Sequence, residues 1–330
     1  MKHSLTILIV ILTFVIMSFG QITTTKVAPK IEQNNNTPYD NTKNFLGEDV
    51  RQYIGQELYL NGKPESSRKY GYEGFLLDYQ NISSSDKSNV YKCCDSFNSK
   101  YNELAGKYFV VLDVIKHPKA AESNLLYEKV SFLKLQEKQS KDIIFFKYDS
   151  QFEHSFPFIV VEFFNRLKQS QIGKSYILRG KNWISSGPMT DIKNGKPVSN
   201  FVTGAKWKVV DVSIEEKYYS LSLILENEKG EQIPLDIKRT ENIENYYVFA
   251  YVFAFESNKA EQYRKAFGDE NWQAVLEGKV KIGMTKEMCQ LSWGKPKKIN
   301  ETISSGKKTE QWIYEDNYLY FDNGVLITMQ

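Results

Sequence analysis

The chain has 330 residues, 41% of them hydrophobic, 25% charged and 14% aromatic, with a mean hydropathy of −0.46. These values exclude a polytopic membrane protein and a wholly disordered one, and leave a folded body long enough for two or three domains. Forty-three basic residues stand against 40 acidic ones, a net charge of +3. That balance is too even for a general nucleic-acid binder, so no nucleic-acid partner is expected.

Residues 1–20 read as a secretory signal peptide: Lys2 and His3 form a basic head, and Leu5 to Phe19 is an apolar run interrupted only by Ser and Thr. Ser18 and Gly20 are the small residues that cleavage before Gln21 requires, and the run is short for a spanning helix. The expected location is therefore periplasmic or secreted, with an uncleaved N-terminal anchor as the competing reading. No cysteine precedes Cys93, so no lipid anchor is expected. Residues 21–44 carry polar runs with Pro29 and Pro38 and read as a flexible leader.

From residue 45 the punctuation is that of a β-rich protein. Residues 45–168 are predicted to form a first β-module and residues 169–268 a second, because three blocks recur in order. Gln52 to Leu60 parallels Gln171 to Leu178, Ala105 to Val114 parallels Thr203 to Val212, and Phe156 to Phe163 parallels Tyr246 to Phe253. The expectation is an internal repeat of small modules, each a five-stranded half-barrel of the SH3-like kind. Gly55 and Gly106 stand before the first pair of strands as Gly173 and Gly204 stand before the second. The competing account is chance similarity of turn chemistry. A helix over Asn258 to Gly268, with Tyr263, Ala266 and Phe267 on one face, is expected to close the second module and separate it from the C-terminal residues.

Residues 269–330 predict an α+β unit of two helices and a three-to-four-stranded antiparallel meander. Thr285 caps the second helix, Gly294 and Pro296 end it after Trp293, and Asn323-Gly324 marks a tight hairpin. Trp312, Tyr314, Leu319 and Phe321 are expected to face the helices. The blocks Val280 to Glu287 (which contain Gly283 and Thr285), Trp293 to Pro296, Gln311 to Tyr314, and Tyr320 to Val325 together resemble the outer-membrane assembly component BamE, also called SmpA/OmlA. The resemblance implies two helices on an antiparallel sheet, a shape shared with exported proteins that bind other proteins, the β-lactamase-inhibitory proteins among them. This chain departs from the family in having no lipidated cysteine and two preceding β-modules, which argues against membership of the assembly machine itself.

No catalytic, cofactor-binding or metal-ligating residue is predicted. Beyond His3 the chain has only His117 and His154, with no metal-ligand spacing. Gly173-Lys174-Ser175 imitates the end of a phosphate loop but lacks its first glycine, and Gly-x-Ser-x-Gly is absent. Asp113 and Asp211 occupy matching places and read as residues that cap a turn. The three cysteines, Cys93, Cys94 and Cys289, are too few for a stapled scaffold, and a vicinal pair rarely bridges itself. A bridge from Cys289 to one of the others and a free, helix-borne Cys289 both remain open. The surplus of aromatic residues, 21 Tyr and 20 Phe, serves either as core between modules or as a recognition surface.

The function expected from these observations is that of an exported, non-enzymatic binding or assembly protein of the bacterial cell envelope, acting through protein-binding surfaces on another envelope protein. The alternative is an envelope hydrolase, or a glycan-binding or glycan-active protein, with a site between the β-modules.

Overall fold

The computed structural model describes residues 38–330 except 82, 84, 85, 122–124, 181–188, 200, 216–218, 241–252, 305 and 306. The expected signal peptide and most of the expected leader lie outside these residues. The chain is a mixed, mostly β protein built on antiparallel sheets.

In the first unit, strand β1 (Glu57–Leu60) leads through a long loop to the hairpin partners of the core. That loop holds α1 (Glu65–Arg68), β2 (Phe75–Leu76), β3 (Cys93–Asp95), β4 (Asn98–Ser99) and α2 (Tyr101–Leu104). The strands β5 (Tyr108–Lys116), β6 (Val130–Glu137) and β7 (Ile143–Asp149) then form a meander, with a helical turn α3 (Leu125–Glu128) between the first two. In β7, Ile144, Phe146 and Tyr148 are buried while Ile143 and Lys147 are exposed, the alternation a half-buried strand imposes. The chain returns as β8 (Phe158–Val160), which pairs with β1, and the sheet order is β2-β7-β6-β5-β1-β8. A helix α4 (Val161–Gln171) comes directly after it.

The end of the expected leader is docked on this sheet. Tyr39 is buried in the first core, and the Asn44 amide donates to the Phe158 carbonyl while its oxygen accepts the Val160 N–H, both at 2.8 Å. One side chain thus satisfies two backbone groups on the sheet's outermost strand.

The second unit contains β9 (Ser175–Leu178), β10 (Lys206–Glu215), β11 (Ser220–Glu226), β12 (Gln232–Asp236) and β13 (Ala254–Glu256), in the order β12-β11-β10-β9-β13. Its connectivity is that of β7-β6-β5-β1-β8. A bulge interrupts β5 between Val111 and Asp113 and β10 between Val209 and Asp211. Helix α5 (Ser257–Phe267) follows β13 as α4 follows β8.

Phe156 to Phe163, read as a block that recurs in the second module, is a three-residue strand followed by the first turn of α4, because Val161, Phe164 and Leu167 recur at helical rather than alternate spacing. Its expected counterpart, Tyr246 to Phe253, lies outside the described residues apart from Phe253, and β13 takes the equivalent place beside β9.

The third unit comprises α6 (Asp269–Leu276), α7 (Lys286–Trp293) and the strands β14 (Lys298–Ser304), β15 (Lys307–Ile313), β16 (Tyr318–Asp322) and β17 (Val325–Met329) in sequential order. Across residue 268 the packing is continuous: Phe255, Ala260 and Phe267 share a buried cluster with Trp272, Val275 and Trp312. Phe255 and Trp272 meet edge to face at 5.1 Å. Helix α5 belongs as much to the third core as to the second unit. Ile159 and Phe164, from β8 and α4, likewise join the core of the second unit. The second and third units therefore each cover residues of the strand-and-helix pair before them, while Phe75, Phe109, Phe146 and Phe158 fill the first unit's own core. Among the described residues, no helix is long and apolar enough to cross a membrane.

Candidate interaction surface

The glycines singled out before the matching strands hold the same bonds in both units. Gly55 donates its N–H to Val111 O at 2.8 Å and Gly173 donates to Val209 O at 2.9 Å. Gly106 donates to Leu60 O at 3.0 Å and Gly204 to Leu178 O at 2.8 Å. All four have positive φ, between 77° and 89°, a region that costs other residues free energy. Asp113 and Asp211, expected to cap a turn, lie instead within β5 and β10, where each stands at the bulge and accepts the N–H of the next residue, at 2.7 and 2.8 Å.

The motif residues of the third unit converge around α7. Thr285 Oγ1 accepts the Met288 N–H at 3.3 Å, and Gly294 closes the helix at φ 81°. Pro296, two residues on, prevents the helix from continuing. Trp293 Nε1 donates to Gly278 O at 2.9 Å, and the Tyr314 hydroxyl donates to Gly294 O at 2.9 Å. Gly283 donates to Leu326 O at 2.8 Å, tying the start of this segment to β17, and Gly324 completes the β16–β17 turn with Asn323. Trp312 and Phe321 are buried with ring centroids 4.7 Å apart. Trp312 Nε1 donates to Glu310, which also meets Lys286 and Lys308. Burial acts to raise the Glu310 carboxyl, but Lys286, the Trp312 indole and Lys308 outweigh it and hold the group below its ordinary value.

Two junctions between units were not foreseen. At the end of β9, the wholly buried Arg179 donates to Val275 O at 2.9 Å, Ser292 O at 2.8 Å and Leu291 O at 3.2 Å. One guanidinium thus serves the carboxyl ends of both α6 and α7, where carbonyls lack intrahelical donors and the helix dipole favours a cation. At the end of β1, Asn61 takes the equivalent place and donates to Tyr219 O in the β10–β11 turn at 2.7 Å. Arg68 Nη2 donates to the Tyr219 hydroxyl at 2.9 Å, and Gly62 lies so close to that ring that a Cβ would run into it. No sequence signal marks either junction, apart from a polar residue directly after a strand.

Cys93 and Cys94 lie side by side in the long loop of the first unit, whereas Cys289 is free and buried in the third core, which leaves no bridge from Cys289 to either.

The surface left over is at the third sheet's edge. Helices α6 and α7 pack on Trp312, Leu319, Phe321 and Leu326 of β15 to β17, and the sheet has two terminal strands, β14, which pairs with no strand but β15, and β17, which pairs with no strand but β16 and exposes Val325, Ile327 and Met329. Ile299 lies opposite Trp312 and so shares its face, yet it is 48% exposed, and Ile303 is 69% exposed. A row of strand N–H and C=O groups, two uncovered isoleucines and the charges of Lys298 and Glu301 are what an extended segment of another chain needs to add a strand. Among the described residues, no group of three or more His, Cys, Asp or Glu side chains converges to hold a metal. His117 is buried against Tyr127 and accepts the Lys119 N–H at 3.2 Å, and His154 is exposed. Lys174, in the phosphate-loop lookalike, pairs with Glu256 at 3.1 Å.

Compared with protein-family models, curated proteins and solved structures, the chain matches none.

Proposed function

We propose that this chain is an exported, non-enzymatic binding or assembly protein of the bacterial envelope, whose third unit captures an extended segment of another envelope protein along β14. The observation that carries this reading is the pairing of an open strand edge with two isoleucines on the helix-side face of the sheet, at the strand that the helices do not reach. We propose further that the two β-units are copies of one SH3-like half-barrel module, in favour of which stand their common strand order, matching bulges and matching glycine bonds. The third unit is proposed to be BamE-like, on the helix–helix–meander order and the positions of Thr285, Gly294 and Trp312.

A photo-reactive residue placed at Ile303 in the exporting cell should give one dominant protein adduct, lost when Ile299→Lys is added. Adducts equally strong from the far edge at Ile327, or none from folded protein, would sink the reading. Intact mass of the exported protein tests cleavage before Gln21.

A further inference from the structure

The two edges of the third sheet are not equally open. At β17 the chain closes its own edge: the Gly283 N–H donates to Leu326 O and the Leu326 N–H to Met284 O, both at 2.8 Å, with Thr285 bridged to Val325. At β14 the register leaves the edge bare. Lys298, Asn300 and Thr302 lie opposite Ile313, Gln311 and Thr309, while Lys308 turns its carbonyl the other way, to the Asn323 N–H. The ladder to β15 therefore uses Lys298, Asn300 and Thr302, and the N–H and C=O groups of Ile299, Glu301 and Ile303 point outward, where no backbone group of the described residues meets them.

The side chains along this edge fall on two sides. Ile299 and Glu301 lie opposite the buried Trp312 and Glu310 and so share the helix side with Ile303, while Lys298 stands exposed on the other side. Lys308 holds Glu301 and Glu315 holds Lys297, both at 2.9 Å. Among the described residues, Lys295 and Lys298 have no carboxylate partner, so the start of β14 carries uncompensated positive charge. A second copy of the chain fits poorly. The two-fold antiparallel register that joins Ile299 to Ile303 sets Glu301 against its own copy, and like charges directly opposite are destabilising.

We propose, resting on capture along β14, that the captured segment is an antiparallel strand of another protein with a defined pattern: apolar residues four apart, a basic or hydroxyl residue midway, and an acidic residue directly after the second apolar one. Antiparallel pairing continues the sheet and is the slightly more stable ladder. Run in that direction, the first apolar residue meets Ile303, the middle residue meets Glu301 and the second apolar residue meets Ile299. The acidic residue then falls opposite Lys298, on the same side of the sheet.

The test uses the full chain and end-blocked synthetic peptides built on Thr-Val-Thr-Lys-Thr-Val-Glu-Thr. Adding this peptide should slow hydrogen exchange at the amides of Ile299, Glu301 and Ile303. Lys in place of its Glu should raise the Kd about fivefold, the upper reach of an exposed charge pair. Because Lys298 is exposed, Lys298→Glu keeps the fold, and it should invert the order so that the Lys peptide binds more tightly. Equal binding of both peptides, with the three amides protected, would overturn the pattern and leave capture along β14 standing. Protection by neither peptide would overturn both. Tighter binding of the reversed sequence would overturn the antiparallel direction, and concentration-dependent protection of the same amides without peptide would make a second copy the occupant and overturn the proposal.

Discussion

The first and second β-units share a strand order and differ in how each grips the unit after it. After β1 the joining residue is Asn61, half-buried, with one bond to a turn carbonyl; after β9 it is Arg179, wholly buried, with bonds to three carbonyls at two helix ends. The backbone frame places a residue at the same spot in both, and the successor decides its chemistry. A hairpin turn asks for one neutral donor, whereas two helix ends pointing at one place present several unpaired carbonyls and a negative dipole, which a guanidinium fits.

The largest effects should come from the second junction and the core behind it. Arg179→Met takes the guanidinium from the Leu291 and Ser292 carbonyls, Val275 O keeping the Gly278 N–H at 3.0 Å, and should cost about 3 kcal/mol, while Asn61→Ala should cost about 1 kcal/mol. Urea midpoints of the two variants measure this directly, and equal losses would break the comparison. Trp312→Ala should cost on the order of 3–5 kcal/mol, whereas Ile313→Asn, on the opposite face of the same strand, should cost less than ~1 kcal/mol. Because Phe255, Ala260 and Phe267 complete the third core, a fragment beginning at Gly268 should fail to melt cooperatively where one beginning at Phe253 succeeds. A cooperative melt of the shorter piece would show α5 to be dispensable.

Much of the third unit was legible because its signals are local. Thr285 three residues before Met288, Gly294 followed by Pro296, and Asn323-Gly324 each settle a cap or turn within a few residues of chain. Helix α4 was not legible, since Val160, Val161, Phe163 and Phe164 are the β-branched and aromatic types that also build strands. What makes them helical is the burial of Phe164 in the next unit's core, a fact held by residues far along the chain. Arg179 was hidden for the same reason: nothing beside it announces that the ends of α6 and α7 meet there. Which strand the two helices leave bare was not legible either, because it depends on their placement.

A smaller effect should distinguish the turn glycines. Gly106→Ala and Gly204→Ala should each cost about 1–2 kcal/mol for a side chain at positive φ. A Cβ at Gly106 would find only the Tyr59 hydroxyl, at 3.9 Å, while one at Gly204 would press on Leu276 of α6 at 3.2 Å. Gly204→Ala should therefore be the costlier, and thermal melts of the pair would show whether close packing against the successor belongs to the second unit alone.

The smallest effect is one of pH, and it again sets the two units against each other. At the β6–β7 turn, Glu137 accepts the N–H groups of Gln139 and Ser140, both at 2.8 Å. At the equivalent β11–β12 turn, Asn227 accepts those of Lys229 and Glu231, both at 3.0 Å. The first turn is built on a carboxylate and the second on a neutral amide. Burial tends to raise the Glu137 carboxyl, but the two N–H groups, the Ser140 hydroxyl and Lys107 overcome it and hold the group at about 2, against an ordinary 4.5. A carboxyl depressed by folding stabilises the native state above its unfolded value, and that contribution is lost as pH falls through the folded value. The Glu137 contribution should thus be complete above pH 4.5 and drain away toward pH 2. At the second turn Asn227 Nδ2 donates to Glu231 at 2.7 Å and helps to hold that carboxyl below its ordinary value, so the acid response there falls on Glu231. Urea unfolding at about pH 5.5 and about pH 2.5 should show that Glu137→Gln loses less stability on acidification than the parent chain does. If the Glu137→Gln chain is as acid-sensitive as the parent, the acid response belongs to other carboxylates and the two turns are electrostatically alike.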